Sequence, residues 1–213
     1  MGRVEKRTYL CEGVAVATLL VPSPLDLGRE WANLAPLYER LAREAEDTFR
    51  ADAVPRAEQA YRVCEDPHKR YRFLPTRGVY THRITWEREG VLSVYRSFRV
   101  WRGDDVLTDR VCGEVWTRGG RRVLPAMVAS RRALAAAARA ERMRLRRFLL
   151  LDFYLTGGEA VFLHGREERR VPLLDAFLPF PVPEDRIRSP LARLLSAEDT
   201  PHRAHKPKRR QSS

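Results

Sequence analysis

VYTHRITWEREGVLSVYRSFRVWRGDDVLTDRVCGEVW, residues 79–116, decides the fold. In Val79–Trp86 the residues Tyr80, His82, Ile84 and Trp86 share one face, and Thr81, Arg83 and Thr85 share the other. That period of two is the mark of a strand with one buried side. Glu87-Arg88-Glu89-Gly90 supplies a turn, with Gly90 able to take a positive φ. Val91–Trp101 then places Leu92, Val94, Phe98 and Val100 together, with Arg96 the one exception among them. Arg102-Gly103-Asp104-Asp105 is a second turn. In Val106–Trp116, Leu107, Val111 and Val115 are in phase, while Asp109 and Gly113 break the run. Three alternating runs joined by short polar turns predict an antiparallel meander with one buried face. Helices must cover that face.

Working toward the N-terminus, Thr8–Val21 reads as one strand, interrupted at Glu12-Gly13, with apolar residues on both sides. Pro22-Ser23-Pro24 stops it. Trp31, Leu34, Tyr38, Leu41, Ala45 and Phe49 recur every three or four residues, the stripe of an amphipathic helix. With Pro36 inside the stripe, either the helix proper starts near Ala35 with Asn33 as its cap, or a first turn is kinked there. Pro55 ends or bends it, and Arg56–Val63 adds two turns. Asp66-Pro67-His68 reads as a turn and Arg70–Leu74 as a short strand.

Toward the C-terminus, Thr117–Arg121 is a tight turn, Arg122–Leu124 a short strand and Pro125 a break. Ser130 caps a helix running to about Arg147, rich in alanine and thin in apolar surface. Phe148–Thr156 is a strand, Gly157-Gly158-Glu159 a hairpin turn, and Ala160–His164 the returning strand. A helical or loop segment leads through Leu173–Phe177. Phe180–Pro183 is extended and Arg186–Leu195 a short helix. Thr200–Ser213, with charge, Pro and Ser but almost no apolar residue, is expected to be disordered. The fold class is therefore α+β: a mixed or antiparallel sheet around the meander, with two main helices packed on it. One domain spans 8–195 and a basic tail 200–213.

The 213 residues carry a formal charge of +12, with 44% hydrophobic and 9% aromatic content, which is globular. No apolar run approaches the roughly 20 residues that span a bilayer, and Met1–Leu10 is not a signal sequence. A cytoplasmic location is the expectation. Cys11, Cys64 and Cys112 form no CxxC pair, and no histidine has a second ligand at metal spacing. No nucleophile elbow, Walker or dinucleotide-binding pattern occurs. Asp104-Asp105 and Glu167-Glu168 fall in turns. His82 reads as a core or edge histidine, and His164 as a surface one. The sequence thus presents no catalytic, cofactor-binding or metal-ligating residue.

What stands out is the placement of charge. Ser130–Arg147 holds seven arginines (Arg131, Arg132, Arg139, Arg142, Arg144, Arg146 and Arg147) against Glu141 alone. Thr200–Ser213 adds Arg203, Lys206, Lys208, Arg209 and Arg210 with no acid. These two segments account for nearly the whole net charge. They are the candidate anion-binding elements, suited to phosphates of nucleic acid or an anionic surface. Arginine outnumbers lysine 36 to 4 throughout, a general bias that says little about the choice of arginine at any one place.

Several segments, in order, resemble a known family. Val91-Leu92-Ser93-Val94 opens a central strand. Gly113-Glu114-Val115-Trp116-Thr117-Arg118-Gly119-Gly120-Arg121-Arg122-Val123-Leu124 runs strand, turn, short strand, and a helix follows. Phe153-Tyr154-Leu155-Thr156-Gly157-Gly158-Glu159-Ala160-Val161-Phe162-Leu163 closes the set. This order resembles the RsiV-like domain of a lysozyme-sensing bacterial anti-sigma factor, also found as an accessory domain in PdaC-type peptidoglycan deacetylases. Tyr9–Phe49 is similar to the half-domain that precedes it there. The resemblance implies an α+β domain that binds a protein partner or other ligand and carries no catalytic residue, since the deacetylase activity lies in a separate domain. Lysozyme itself suits this chain poorly, because common lysozymes are basic and +12 would repel them. Three readings follow: a non-catalytic binding domain, an electrostatic binder of nucleic acid or anionic surfaces, and an enzyme. The last requires a pocket where titratable groups converge.

Overall fold

The computed structural model describes residues 4–23, 27–65, 72–88, 90–165 and 167–174. The turn at 66–68, the extended segment 180–183, the helix at 186–195 and the basic tail 200–213 all lie outside the described residues.

The fold is α+β, with a mixed five-stranded sheet in the order β1-β2-β3-β4-β5 and a second, three-stranded sheet. The N-terminal run is a hairpin, not one interrupted strand. β1 (Val4–Cys11) pairs antiparallel with β2 (Val14–Pro22). Glu12 and Gly13 both take positive φ, 50° and 82°, which turns the chain back in two residues. β2 then runs parallel to β3 (Thr76–Arg88), from Ala17 beside Thr76 to Leu20 beside Val79. A parallel neighbour demands a crossover, and the helical segment is that crossover.

The crossover comprises a 3-10 stretch (Arg29–Leu34), α1 (Ala35–Thr48), a π-helical turn (Phe49–Ala53) and α2 (Val54–Cys64). Pro36 and Pro55 each sit in a first turn, where a missing N–H is harmless. Pro55 therefore neither ends nor breaks the helix; the wider π turn before it absorbs the irregularity. Leu34, not Asn33, occupies the N-cap, and no side chain caps the helix because the 3-10 stretch feeds into it. Arg72–Leu74, the described part of the expected strand, has no regular structure.

β3, β4 (Val91–Arg102) and β5 (Asp105–Thr117) form the antiparallel meander. Its turns use Gly90 and Gly103 at φ 86° and 57°. The helical crossover covers one face. Trp31, Leu34 and Tyr38 pack on Leu92 and Val94, and Phe49, Ala53 and Ala57 share a cluster with Tyr80, Phe98 and Val100.

The expectation of a single buried face does not hold. Val91, Leu92, Ser93 and Val94 are all buried, because the second sheet covers the other side of that end. There Val91 and Val115 join Phe148, Phe153, Leu155 and Phe162 in one cluster. Trp86 belongs to this second face. A shift in register between Ile84 and Trp86 takes it off the face of Tyr80 and sets it opposite Ser93. Gly113 breaks the alternation of β5 for a related reason. A Cβ there would lie 2.5 Å from the Phe153 carbonyl carbon, so β6 (Phe153–Leu155) approaches through the gap.

After β5, Arg122 makes an isolated bridge to Trp116 instead of a strand, and Pro125 opens the short helix α3 (Pro125–Val128). Ser130 caps the next helix as expected, its Oγ accepting from the Ala133 N–H at 3.2 Å. That helix, α4 (Arg131–Ala140), ends seven residues before Arg147. Phe148, expected in a strand, closes the one-turn helix α5 (Leu145–Phe148) and is fully buried. β7 (Glu159–His164) pairs with β6, and the segment expected to be helix or loop is β8 (Glu167–Pro172), the third strand. α4 packs on this smaller sheet, with Leu134, Ala137 and Ala138 buried.

Candidate functional site

Arg131 and Arg132 stand in the first turn of α4 and Arg139 in its last. Arg144 is the N-cap of α5, and Arg146 and Arg147 lie within it. Arg142 joins the two helices. All seven arginines are exposed. None makes an ion pair or side-chain hydrogen bond with another described residue.

Two features of the segment work against its own stability. The first turn of α4 carries Arg131 and Arg132 and no acid, against the helix dipole. Arg142 has φ 54°, in the left-handed region. It stands where a Schellman turn ordinarily uses glycine: Met143 N–H bonds to Ala138 O at 2.8 Å and Arg142 N–H to Arg139 O at 3.0 Å. A side chain in that conformation costs about 1 kcal/mol.

The segment's one acid is withdrawn from this surface. Glu141 has a side chain 5% exposed and is engaged by Arg169 of β8, with His164 Nδ1 at 3.5 Å. Arg169 holds its carboxyl below the ordinary value. Glu141, His164 and Glu167 do bring three ligand atoms within 4.8 Å of one another, although their sequence spacing suggests no such grouping. Arg169 already neutralises the only sheltered member of the three. His164 is exposed, as expected, and Glu167-Glu168 lie on β8 instead of in a turn. Asp104 is in a turn and Asp105 begins β5.

The sequence reading missed a buried polar network between the crossover and the sheet. Arg96 donates from Nε and Nη2 to the two oxygens of Glu114, at 3.3 and 2.9 Å. Its Nη2 also reaches Cys112 Sγ at 3.1 Å. Tyr38 donates to Glu114 Oε2 at 3.2 Å and accepts from Trp116 Nε1 at 2.9 Å. The Cys112 thiol donates to Asp152 at 3.1 Å, and Arg122 meets the other oxygen of Asp152 at 2.5 Å. Two cations and two carboxylates thus alternate, and in the sheltered pair Arg96–Glu114 removing either member would leave a charge without its partner. Burial works to lower the Arg96 value, but Glu114 overcomes it and the guanidinium stays charged. Burial, with Glu114 acting the same way, raises the Tyr38 hydroxyl. Arg96 was visible in the sequence as the exception on an apolar face; its partners come from other places in the chain.

His82 is half-buried among Tyr38, Tyr80 and Arg96, with ring contacts to both tyrosines. Burial lowers its pKa, partly offset by the Ser23 backbone, which accords with a core histidine. Titratable groups do converge beside α1, where Tyr80, Arg96 and Cys112 line one cleft. Burial pushes the Cys112 thiol up to about 12 and raises the Tyr80 hydroxyl, so neither is an ionised base or nucleophile at neutral pH.

No family profile and no curated protein matches the chain. Several solved chains are similar to it, among them two DUF3298 structures. One is a DUF3298 family member from Bacteroides fragilis, 10% identical over 80% of this chain and 90% of that one, with a TM-score of 0.39. The other is a DUF3298 family protein from Pseudomonas aeruginosa PAO1, 12% identical over 85% of this chain and 98% of that one, with a TM-score of 0.43.

Proposed function

We propose that the chain is a non-catalytic binding domain that engages nucleic acid through the arginines of residues 131–147. The observation that carries this reading is the state of those side chains. Seven are exposed, none is paired among the described residues, and the one acid between them is turned away and neutralised. Cations laid on a surface without partners suit a strip of phosphates, which gains affinity by releasing counterions. Arg131 and Arg132 at a helix N-terminus, and Arg142 in a glycine conformation, support the same reading, because in each case the choice of arginine costs local stability, through its charge in the first two and its side chain in the third. No aromatic residue of 131–147 accompanies the arginines, so phosphate contact without base readout is the expected mode. The RsiV-like resemblance belongs to this proposal as the domain type. It is supported by the order of the quoted segments, which lie on β4, the end of β5 and the β6–β7 hairpin. A cytoplasmic location, where nucleic acid is present, completes the reading.

The test is binding of the full-length chain to a DNA duplex of about 20 base pairs at about 100 mM salt. Substituting Arg142→Gln, Arg146→Gln and Arg147→Gln together should weaken binding on the order of 100-fold. Unchanged affinity would refute the assignment of this surface.

A further inference from the structure

The register of β3 and β4 sets four rungs on the face of the large sheet turned away from the helical crossover. Arg77 stands opposite Trp101, Val79 opposite Arg99, Thr81 opposite Ser97 and Arg83 opposite Tyr95. The crossover packs on the alternate residues, Tyr80, Phe98 and Val100. The small sheet meets the open side at Tyr95 and Val111, which pack on Tyr154, Val161 and Leu163. Beyond that contact Arg77, Thr81 and Arg99 are exposed, and Val79 and Trp101 are half-buried. A recess of about 460 Å³ lies here, lined in part by Val79, Tyr95, Trp101, Val111 and Gly165 of the turn between β7 and β8. That volume lies within the range of ligand pockets.

Cations surround the recess. Arg77 and Arg83 are exposed and form no ion pair with a described residue. Arg83 lies over the Tyr95 ring, 4.9 Å from its centroid. Along the second rung, Val79 continues through Leu20 of β2 to Lys6 of β1, a third exposed cation without a described partner. Arg99 and Asp109 also line the recess, but they pair at 2.8 Å and bring no net charge. Trp101 makes no hydrogen bond or ring contact with a described residue, so its half-buried indole is free to take a planar partner. The two aromatic rungs are six residues apart on each strand, about 20 Å at roughly 3.3 Å per residue.

We propose that this open face binds single-stranded nucleic acid, with a base stacked on Trp101 at the recess and phosphates on Arg77, Arg83 and Lys6. Aromatic side chains interleaved with unpaired cations suit an unwound strand, whose bases have free faces to stack and whose backbone follows the charge. A second base stacks on the exposed Arg83 guanidinium above Tyr95, and the span between the two rungs suits the low end of single-strand sites, about four nucleotides. A duplex keeps its bases stacked on one another and gains nothing from Trp101. The proposal does not rest on the reading of residues 131–147, which lie on other elements.

The experiment is binding of the full-length chain to an oligothymidylate of about 12 nucleotides at about 100 mM salt, beside the same duplex of about 20 base pairs. Trp101→Leu keeps an apolar side chain but removes the π face, and should lower oligothymidylate affinity about tenfold while leaving duplex affinity unchanged. Arg77→Gln alters an exposed residue and should lower oligothymidylate affinity about fivefold, the share of one phosphate. Both losses should persist when Arg142, Arg146 and Arg147 are together replaced by Gln, which separates this face from the arginine segment. The four tryptophans give four indole N–H signals, and the one missing from Trp101→Leu belongs to Trp101. In the wild type the oligothymidylate should shift that signal, and in Trp101→Leu the other three should stay in place, which reports an intact fold. If they move, Arg77→Gln decides. An unmoved Trp101 signal, unchanged oligothymidylate affinity in the deciding variant, an equal loss of duplex binding, or equal competition by a polyglutamate of about 12 residues would overturn the proposal.

Discussion

Arg142 separates folding from binding at a single position. Its φ of 54° is a conformation glycine adopts without strain. Arg142→Gly should therefore leave stability unchanged or raise it by up to about 1 kcal/mol, the relief of the left-handed side chain being partly offset by a freer unfolded chain. The same change should weaken duplex binding about fivefold, the share of one phosphate neutralised at moderate salt. Chemical denaturation and a binding titration on the one variant check both halves. A marked loss of stability would mean that the Arg142 side chain serves the fold instead. At this scale the sequence was only partly legible. The arginines were plain, but a Schellman turn without glycine gives no stop signal, so the helix read on to Arg147. Arg96 showed as an anomaly among Leu92, Val94, Phe98 and Val100. Alternation alone could not say that Glu114, Cys112 and Tyr38 would meet it, since pairing across strands and helix is set by the fold.

Elements were read well where one face alone is buried and poorly where two are. The strands of the meander and both of its turns follow directly from alternation and glycine. Gly113 looked like a flaw in β5 because the second sheet was not foreseen, and it is the point where that sheet comes nearest. Gly113→Ala would push a methyl group to within 2.5 Å of the Phe153 backbone, where no flexible side chain can yield. The expected cost is about 2 kcal/mol, in line with overpacking elsewhere, measured by denaturant unfolding. A neutral outcome would mean that β6 does not sit against β5 as described. β8 escaped notice for a different reason. Glu167-Glu168-Arg169-Arg170-Val171-Pro172 has only Val171 buried, and a charged outer strand shows no apolar alternation. The helical crossover was legible as a stripe. Its π turn was not, because a widened turn leaves the apolar spacing almost intact.

Across the whole molecule, the large sheet is sandwiched at one end between the helical crossover and the small sheet, and α4 and α5 pack into the core cluster that the small sheet shares. This arrangement keeps the arginine segment clear of the acids on which other sheet and turn arginines are spent, such as Arg96, Arg99, Arg118 and Arg122. Net charge told where the positive excess lay but not that the arginines of 131–147 have no partner among the described residues, since pairing depends on which acids the fold brings near. The direct test of the account is the salt dependence of duplex binding by the full-length wild type and the Arg142, Arg146 and Arg147 to Gln variant, measured side by side. Residues 200–213 are common to both proteins, so their contribution cancels. If the three arginines meet phosphates, the slope of log affinity against log salt should be shallower in the variant by about 2.7, close to 0.9 for each phosphate no longer neutralised. Parallel lines would show that nucleic acid does not bind there, and would contradict the central claim.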